Sequence, residues 1–458
     1  MTAAVRDAPG RVVVVGGGLA GLTAAIALAD AGRPVLLLEG SPRLGGLTRS
    51  YRHGDLLVDN GQHVFLRCCD RYRAFLERLG VTSLVHLQPR LDVPVLEPGR
   101  PPARLRRTGL PAPLHLSRSL ATYGPLSLRQ RLAAVRGALA LTRVDPADPA
   151  TDQRSFGEWL AEHGQDPRTV AALWDLVGIA TLNAPAGQAS LALAATVFQL
   201  GLLNTADAGD IGWAMVPLAR LHAEPAAAAL AAAGAEVRTG ARVDGLVRDP
   251  DGWRVQLRSG AEERADAVVL AVPPPQAEQL LPAGAVDLPA GWAEQLGASP
   301  IVNVHVVYDR QVLTEPFVAA LGSPVQFAFD RTEQVGLATG QCIGVSLSAA
   351  DAFIDLPTAQ LRALIEPALA ALLPPAREAV VTDVFVTRER AATFRPKPGS
   401  AALRPGAVTA VPGLVVAGAW TDTGWPATME GAVRSGEGAA AALLSIPSPR
   451  PDILGAAA

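Results

Sequence analysis

Apolar and glycine-rich stretches near the start of the chain follow one another in a regular order. Residues 12–15 are four valines, residues 24–31 are mostly small and apolar, and residues 34–38 are largely apolar again. Short apolar runs bounded by glycine are typical of strands buried on both faces, whereas an alanine-rich stretch favours a helix packed closely on a sheet. The pattern therefore predicts a strand–helix–strand unit in a parallel sheet.

The turn between the first strand and the helix has the spacing of a dinucleotide-binding site. Gly16, Gly18 and Gly21 fill a G-x-G-x-x-G frame, and Glu39 ends the second strand. Such glycines let the backbone approach a pyrophosphate, the helix N-terminus offers it free N–H groups, and the acid accepts a hydrogen bond from a ribose hydroxyl. The complete unit predicts a bound dinucleotide.

Two segments at opposite ends of the chain extend this pattern. Residues 40–48 add an arginine and a glycine pair after the acid, and residues 414–436 predict a strand, a tight loop and a helix beginning near Pro426. An ordinary surface loop is the alternative interpretation of the first segment. Together they resemble the flavoprotein superfamily of amine oxidases, protoporphyrinogen oxidases and carotenoid desaturases. The resemblance implies FAD as the cofactor, with the C-terminal helix dipole pointing at the flavin ring.

The remaining pattern predicts an α/β fold with two interleaved domains. Strands are expected at residues 234–243, which place Val243 beside the adenine, and at residues 253–257 and 264–272. We expect a Rossmann-like FAD-binding domain of the glutathione-reductase and amine-oxidase type, with an inserted α+β substrate domain that has a helical cap. The FAD-binding domain is assigned to residues 1–85, 208–285 and 402–446, and the substrate domain to residues 86–207 and 286–401, followed by a disordered tail at 447–458.

Composition excludes several classes of protein. The net charge of -3 argues against nucleic acid as a partner. The three cysteines (Cys68, Cys69 and Cys342) have no metal-site spacing. None of them lies in residues 414–436, where a thioether bond to the flavin would need a cysteine, so we expect FAD to be held non-covalently. The first ten residues have no apolar signal core and no run is long enough to span a membrane, so the predicted location is cytoplasmic.

Arginines are interspersed with leucines and alanines over residues 116–144. One interpretation is a solvated helix face in an arginine-rich protein. The other is a basic amphipathic surface that rests on anionic lipid beside the substrate entrance, which would make the protein peripheral on the inner face of the cell membrane. The pattern alone leaves both open.

Internal motifs narrow the resemblance. The run from Asp59 to His63, residues 173–185, the run from Arg388 to Phe394 and residues 424–436 resemble the squalene-associated FAD-dependent desaturases, the hydroxysqualene dehydroxylases. The similarity extends from about Val12 to about Leu444. Ala419 stands where that family has an acid that contacts the ribityl–phosphate chain, so either Asp422 or a backbone contact takes its place.

The family resemblance implies reductive removal of the hydroxyl of hydroxysqualene by reduced FAD, giving squalene and water in squalene and hopanoid biosynthesis. The implied partners are this long polyprenyl lipid and the upstream enzymes of the squalene pathway. The residues predicted to contact FAD are Gly16, Gly18, Leu19, Ala20, Gly21, Glu39, Gly40, Ser41, Arg43, Gly45, Gly46, Leu47, Gly61, Gln62, Val243, Gly418, Asp422, Ala427, Thr428 and Met429.

Candidate catalytic residues follow from their positions in these motifs. His63 is a candidate acid at neutral pH, and Glu389 is one if it is desolvated. The alternatives are that His63 only shapes the flavin pocket and that Glu389 forms an ion pair with Arg390. Arg388 and Arg390 are candidates to bind the departing oxygen. The predicted substrate pocket is aromatic, with Trp174, Trp213, Trp425 and Phe327 as its candidate lining.

Two rival functions are consistent with the same fold. A carotenoid-type desaturase binds a similar chain, whereas an amine oxidase usually needs a lysine beside the flavin, and Lys397 lies in a Pro-Lys-Pro-Gly turn. A prenyl-lipid escort protein without flavin is the non-enzymatic alternative, but such a protein need not keep the phosphate turn or the flavin helix.

Overall fold

A computed structural model describes residues 10–444 of the chain. The predicted tail at 447–458 lies outside these residues. The strands are β1 (Val12–Val15), β2 (Val35–Leu38), β3 (Ser50–His53), β4 (Leu56–Asp59), β5 (Val64–Leu66), β6 (Val85–Leu87), β7 (Asp92–Leu96), β8 (Ala103–Arg106), β9 (Ile211–Ala214), β10 (Glu236–Arg238), β11 (Val243–Asp249), β12 (Gly252–Leu257), β13 (Glu262–Ala265), β14 (Ala267–Leu270), β15 (Ala298–Tyr308), β16 (Phe317–Ala320), β17 (Phe327–Asp330), β18 (Gln341–Ser348), β19 (Val381–Phe394) and β20 (Leu414–Val416).

The α-helices are α1 (Leu19–Asp30), α2 (Asp70–Arg78), α3 (Ser117–Ala121), α4 (Leu128–Leu141), α5 (Pro149–Asp152), α6 (Phe156–Glu162), α7 (Pro167–Thr169), α8 (Asp175–Leu182), α9 (Leu191–Phe198), α10 (Leu218–Leu221), α11 (Ala223–Ala232), α12 (Pro274–Leu280), α13 (Trp292–Leu296), α14 (Thr332–Val335), α15 (Thr358–Leu372) and α16 (Met429–Leu444). Short π-helical turns precede α8 and follow α9, at Val170–Trp174 and Gln199–Leu203.

A five-stranded parallel sheet forms the nucleotide-binding part, in the order β10-β2-β1-β14-β20. Its central strand β1 is buried on both faces, because Val13 and Val15 pack in one apolar cluster and Val12 and Val14 in another. This explains the uninterrupted valine run. The predicted Rossmann-like α/β class is confirmed.

A seven-stranded mixed sheet forms the floor of the second part, in the order β19-β15-β18-β17-β16-β7-β8. Alternation along β15 places Val302, Val304 and Val306 in one cluster with α15, whose Leu361 and Ile365 are fully buried. The polar Asn303 and His305 belong to the opposite face. Strands β7 and β8 come from the first predicted insertion and β15–β19 from the second, so we retain the predicted domain boundaries as a proposal.

Buried neutral histidine makes stability depend on pH. Burial lowers the pKa of His305 to about 3, whereas an unfolded histidine titrates near 6.5. Between these values the unfolded chain binds more protons, so the free energy of unfolding should fall as pH falls from about 6.5 toward 3. Urea unfolding of His305→Leu should show a slope smaller by up to about 1.4 kcal/mol per pH unit.

The matched control is Val306→Ala. It truncates a fully buried side chain of the same strand, on the face opposite to His305, but removes no titrating group, so it should keep the parental slope. Equal slopes in His305→Leu and the parent protein would contradict the prediction.

Candidate active site

The turn after β1 contains one glycine that the protein fold itself does not require. Gly16 has φ +109°, and a Cβ on Gly21 would lie 1.9 Å from the Gly16 carbonyl oxygen, so both positions need glycine for the backbone. Gly18 has φ −77° and ψ 177°, and the nearest atom to its would-be Cβ is the Gly46 Cα at 3.8 Å. A side chain would fit there in the protein alone. The open space in front of Gly18 therefore suits a pyrophosphate that approaches the backbone.

Helix α1 starts directly after this turn. Within the described part of the chain, no side chain caps its N-terminus, and Leu19, Ala20 and Gly21 form its first turn. Helix N-termini leave their first N–H groups without intrahelical partners, and phosphate oxygens satisfy them well. The cradle and the free N–H groups fit the diphosphate of FAD.

Glu39 lies at the end of β2, as predicted, and it braces the phosphate turn. Its Oε2 accepts a hydrogen bond from Gly17 N and its Oε1 accepts one from Ser41 N, both at 2.6 Å. The following loop is tied to the same turn, since Gly45 N donates to Gly17 O at 2.8 Å and Gly45 forms a bridge with Gly18. Gly40, Ser41, Arg43 and Leu47 of this loop are exposed, whereas Val243 at the start of β11 is buried.

The C-terminal segment reaches the same region through helix α16. This helix begins at Met429, three residues later than the predicted Pro426, and Thr428 Oγ1 accepts from Gly431 N at 3.1 Å in the manner of an N-cap. A Cβ on Gly436 would lie 2.3 Å from the Ala20 carbonyl oxygen, so α16 and α1 are in very close contact. The two ends of the chain meet at the phosphate turn.

The other predicted C-terminal positions lie in the loop before α16. Gly418 has φ +146°, and its N–H donates to Ser435 Oγ at 2.8 Å. Asp422 is exposed, and its Oδ1 accepts from Gly424 N at 3.2 Å. Its carboxylate therefore stabilises this loop locally, and Ala427 is half-buried beside Thr428.

The run from Asp59 to His63 crosses between the two sheets. Asp59 is buried and pairs with the buried Arg331 at 2.9 Å. The next residue, Asn60, receives hydrogen bonds at its carbonyl from Asn303 Nδ2 at 3.3 Å and Thr387 Oγ1 at 2.8 Å, both from the floor sheet. Asp59 and the Asn60 carbonyl are thus matched by partners, whereas the buried Gln62 Oε1 has no hydrogen-bond partner among the described residues.

His63 is oriented by its own backbone. Its Nδ1 lies 3.1 Å from the carbonyl oxygen of the buried Gly61. Because a carbonyl only accepts, Nδ1 carries the hydrogen and Nε2 is the nitrogen left for other partners. Desolvation lowers the pKa of His63 below its usual value, and the Gly61 hydrogen bond and the charge of Asp59 partly oppose this shift.

A narrow cavity lies beside His63 and has both apolar and polar walls. It is lined by Gln62, His63, Val64, Trp213, Pro316, Phe317, Phe329, Asp330 and Arg331. Strand pairing explains part of this arrangement, since Val64 of β5 faces Trp213 of β9, and the Trp213 and Phe317 rings pack 5.9 Å apart. The cavity therefore has aromatic faces next to one imidazole and one guanidinium.

Of the four predicted aromatic residues, Trp213 lies at this cavity. Phe327 does not line the cavity but packs against the cavity residue Phe329, with ring centroids 6.2 Å apart. Trp174 is 2% exposed and donates from Nε1 to Gln165 Oε1, so it is a core residue of the helical part. Trp425 is buried under Arg434, whose guanidinium lies 5.1 Å from the ring centre. Neither Trp174 nor Trp425 lines the cavity beside His63.

The partners predicted for Glu389 are corrected by the structure. Its Oε1 accepts from Arg49 at 2.6 Å and from Asn60 Nδ2 at 3.1 Å. Arg390 is exposed and pairs with Asp355, and Arg388 donates to the Leu356 carbonyl. Alternation along β19 explains the error, because neighbouring residues of a strand point to opposite faces. None of these three residues lines the cavity beside His63.

We expect Glu389→Gln to remove the ion pair with Arg49 while FAD remains bound. Since the Arg49 side chain is 42% exposed, the loss should be about 1 kcal/mol in the free energy of unfolding. The control Arg390→Gln breaks a pair that is exposed on both sides and should change stability by less than about 0.5 kcal/mol. Denaturant melts of both variants test this, and an equal loss in the two would contradict it.

Sequence reasoning missed Arg331 and Phe317. Both lie in segments without a local motif, and Arg331 is 272 positions away from Asp59 in the chain. Asp59 belonged to a motif, but an isolated buried acid does not reveal its partner. Among residues 10–444 there is no cluster of side chains suited to a metal ion, and no helix is long and apolar enough to cross a membrane.

Comparison with known proteins agrees with this geometry. The family model of flavin-containing amine oxidoreductases matches residues 19–444. A hydroxysqualene dehydroxylase from Rhodopseudomonas palustris is 32% identical, over 95% of this chain and 98% of its own length. One from Sinorhizobium fredii is 30% identical, over 95% and 99%. A zeta-carotene desaturase from Synechocystis is 25% identical, over 95% and 97%.

Solved structures share the fold. A putrescine oxidase has a TM-score of 0.69 at 21% identity and covers 95% of this chain and 99% of its own. A cyclohexylamine oxidase from Brevibacterium oxydans has a TM-score of 0.67 at 21% identity, with the same coverage. The chain belongs to the flavin-containing amine oxidoreductase family and is an FAD-dependent oxidoreductase.

Proposed function

We propose that this enzyme removes the hydroxyl group of hydroxysqualene reductively, giving squalene and water. The observation that carries the proposal is the cavity that joins His63 and Arg331 to the rings of Trp213, Phe317 and Phe329. It offers proton-bearing groups for one oxygen and aromatic faces for a delocalised carbocation, with Gln62 and Asp330 as its other polar side chains. The two dehydroxylases that are 30% and 32% identical over nearly the whole chain support this choice of substrate.

FAD is held non-covalently in this proposal. The cradle at Gly18 and the first turn of α1 would hold its diphosphate, and Glu39 would accept from its ribose. Thr428 and Met429 at the start of α16 would face the ring, where the helix dipole favours negative charge. When bound and reduced, the cofactor supplies the hydride for the reaction.

A side chain of the protein protonates the hydroxyl oxygen so that it can leave as water. His63 donates a proton from Nε2 to the substrate hydroxyl, the C–O bond breaks, and the oxygen leaves as water. The carbon gains a C–H bond from the hydride, so the substrate is reduced by two electrons and the cofactor is oxidised by two. The lowered pKa of His63 makes its protonated form a stronger acid than ordinary imidazolium.

Arg331 has a supporting role in this mechanism. Its guanidinium keeps one strong pair with Asp59 and remains charged under all ordinary conditions. At the cavity wall it can hold the departing oxygen through its remaining N–H groups. The rings of Trp213, Phe317 and Phe329 are the groups in this cavity that can stabilise the cation.

The substrate also suggests where the enzyme works. A hydrocarbon of this length partitions into bilayers, so we propose a cytoplasmic protein that works peripherally on the inner membrane face. The enzymes that supply the allylic alcohol are the partners we expect upstream. This location explains how a cavity in the protein can receive a substrate with almost no solubility in water.

Product analysis separates this proposal from its rivals. Purified holoenzyme with reduced FAD should convert hydroxysqualene to squalene under anaerobic conditions, and with oxidised FAD it should leave a carotene such as zeta-carotene unchanged. Desaturation of the carotene without squalene formation would favour the desaturase alternative. A purified protein that binds prenyl lipid but takes up no flavin would favour the escort alternative.

A further inference from the structure

Helix α4 buries its small residues and exposes its large apolar ones. Ala133, Ala134 and Gly137 are buried, whereas four large side chains point outward. These four are Leu128, Leu132, Val135 and Leu139, at 69%, 57%, 41% and 43% exposure. Their spacing of four, three and four places them along one side of the helix, which we call the leucine face. A helix that only packs on a soluble protein shows the reverse arrangement.

Large exposed apolar side chains are concentrated in helix α4 and in the segment before it. Six of the eleven large apolar residues exposed within residues 10–444 lie between positions 110 and 139. The two outside α4 are Leu110 and Leu114, in the segment that leads to α3 and α4. Single exposed leucines need no explanation, but a cluster of this kind marks an interaction surface.

The charged residues of the segment that contains the leucine face all have one sign. No acidic residue occurs between Pro98 and Val144. Arg129 and Arg136 are exposed on one edge of the helix, and Arg143 is exposed two residues after its end. In the described range 10–444 none of these three arginines makes an ion pair with an acid of the chain.

Arg131, in the same helix, differs from these three arginines because it bonds to the protein backbone. Arg131 donates to the carbonyl oxygens of Tyr123 and Leu126, and so it fixes the loop before α4. Arg131 therefore has a structural role in this loop and is not part of the exposed basic edge. The other three retain a positive charge that the protein does not neutralise locally.

The loop that precedes α4 packs in the apolar cluster beside the cavity. Tyr123 and Leu126, just before α4, belong to the same cluster as Phe317, and Trp213 and Phe329 pack against that cluster. The last three also line the cavity beside His63.

From these observations we infer that the leucine face of α4 docks the protein on an anionic lipid bilayer. The leucines and valine enter the interface, and Arg129, Arg136 and Arg143 lie at the level of the phosphate groups. A protein partner would also cover an apolar face, but the positive edge formed by Arg129, Arg136 and Arg143 favours anionic lipid. The role in substrate delivery rests on the proposed function, whereas lipid binding itself does not.

Co-sedimentation with vesicles tests the inference. The full-length holoenzyme should sediment with vesicles of phosphatidylcholine and phosphatidylglycerol, and less with phosphatidylcholine alone. Leu128→Gln combined with Leu132→Gln should lower partitioning about 100-fold. A triple Arg129→Gln, Arg136→Gln, Arg143→Gln variant should lose about 100-fold on anionic vesicles and little on neutral ones.

The matched control is Val408→Gln, which changes a side chain that is 71% exposed outside this region. It should bind vesicles as the parent does. The leucine variant should keep its thermal stability and its turnover of detergent-dispersed substrate, because it changes only exposed positions. If the parent binds vesicles but does not convert hydroxysqualene, the result supports docking of the leucine face on lipid and contradicts the proposed function.

Two results would overturn the inference. One is a parent protein that stays in the supernatant with anionic vesicles. The other is a parent protein that is a dimer in light-scattering measurements while the leucine variant is a monomer, with neither protein binding vesicles. The leucine face would then be an interface between two copies of the chain.

Discussion

Replacing His63 with alanine is expected to lower kcat on hydroxysqualene by about 100- to 10,000-fold, the usual contribution of a positioned general acid. FAD should stay bound, because the phosphate turn and α16 do not depend on this side chain. Desolvation lowers the pKa of His63, so the protonated donor is scarce at neutral pH. In the parent enzyme kcat/KM should therefore rise as pH falls below about 6.5, and in the variant this rise should disappear.

Steady-state rates across pH, together with the flavin content of each preparation, check this prediction. The control His53→Ala removes an imidazole that pairs with Asp383 away from the cavity and should keep the parental rate and profile. A His63→Ala enzyme with full flavin and the parental rate would show that the proton comes from another group. Loss of flavin in this variant would assign His63 to the cofactor pocket, the alternative left open by the sequence.

Gly18→Ala is expected to fold normally and lose FAD. The backbone at position 18 suits any residue, and a methyl group there would meet no protein atom closer than 3.8 Å. The same methyl group would occupy the space that we assign to the pyrophosphate. The dissociation constant for FAD should rise by about 100-fold or more, which corresponds to about 2.8 kcal/mol of lost binding free energy.

Gly178→Ala is the matched control for this substitution. It makes the same chemical change in helix α8 at a position where no neighbouring atom lies within 4 Å of the added group. Flavin titration should give the parental affinity for the control, and the apo forms of both variants should melt close to the apo parent. Parental affinity in Gly18→Ala would mean that the diphosphate lies elsewhere.

Local patterns predicted the nucleotide-binding part well, for physical reasons. The valines of β1, the glycines of the turn and Glu39 are consecutive elements of one unit, and short-range sterics and burial determine them. The start of α16 was less predictable. Pro426 is compatible with a first helical turn, but the hydrogen bond from Gly431 N to Thr428 Oγ1 places the cap two residues later.

The site beside His63 could be predicted only in part. His63 and Trp213 were candidates from their motif and residue type, and strand pairing between β5 and β9 brings their segments together. Arg331 and the Arg49 partner of Glu389 depend on pairings across more than 270 positions, where periodicity carries no information. The error about Arg390 was avoidable, because strand alternation separates it from Glu389.

A single-turnover experiment tests the central claim most directly, namely that one bound FAD and the His63 cavity together reduce hydroxysqualene. Photoreduced holoenzyme is mixed anaerobically with one equivalent of hydroxysqualene, and the flavin spectrum and the lipid products are followed together. The account predicts that the absorption of oxidised flavin returns at the same rate as squalene forms, with one squalene per flavin. Flavin that stays reduced while the alcohol persists would contradict it.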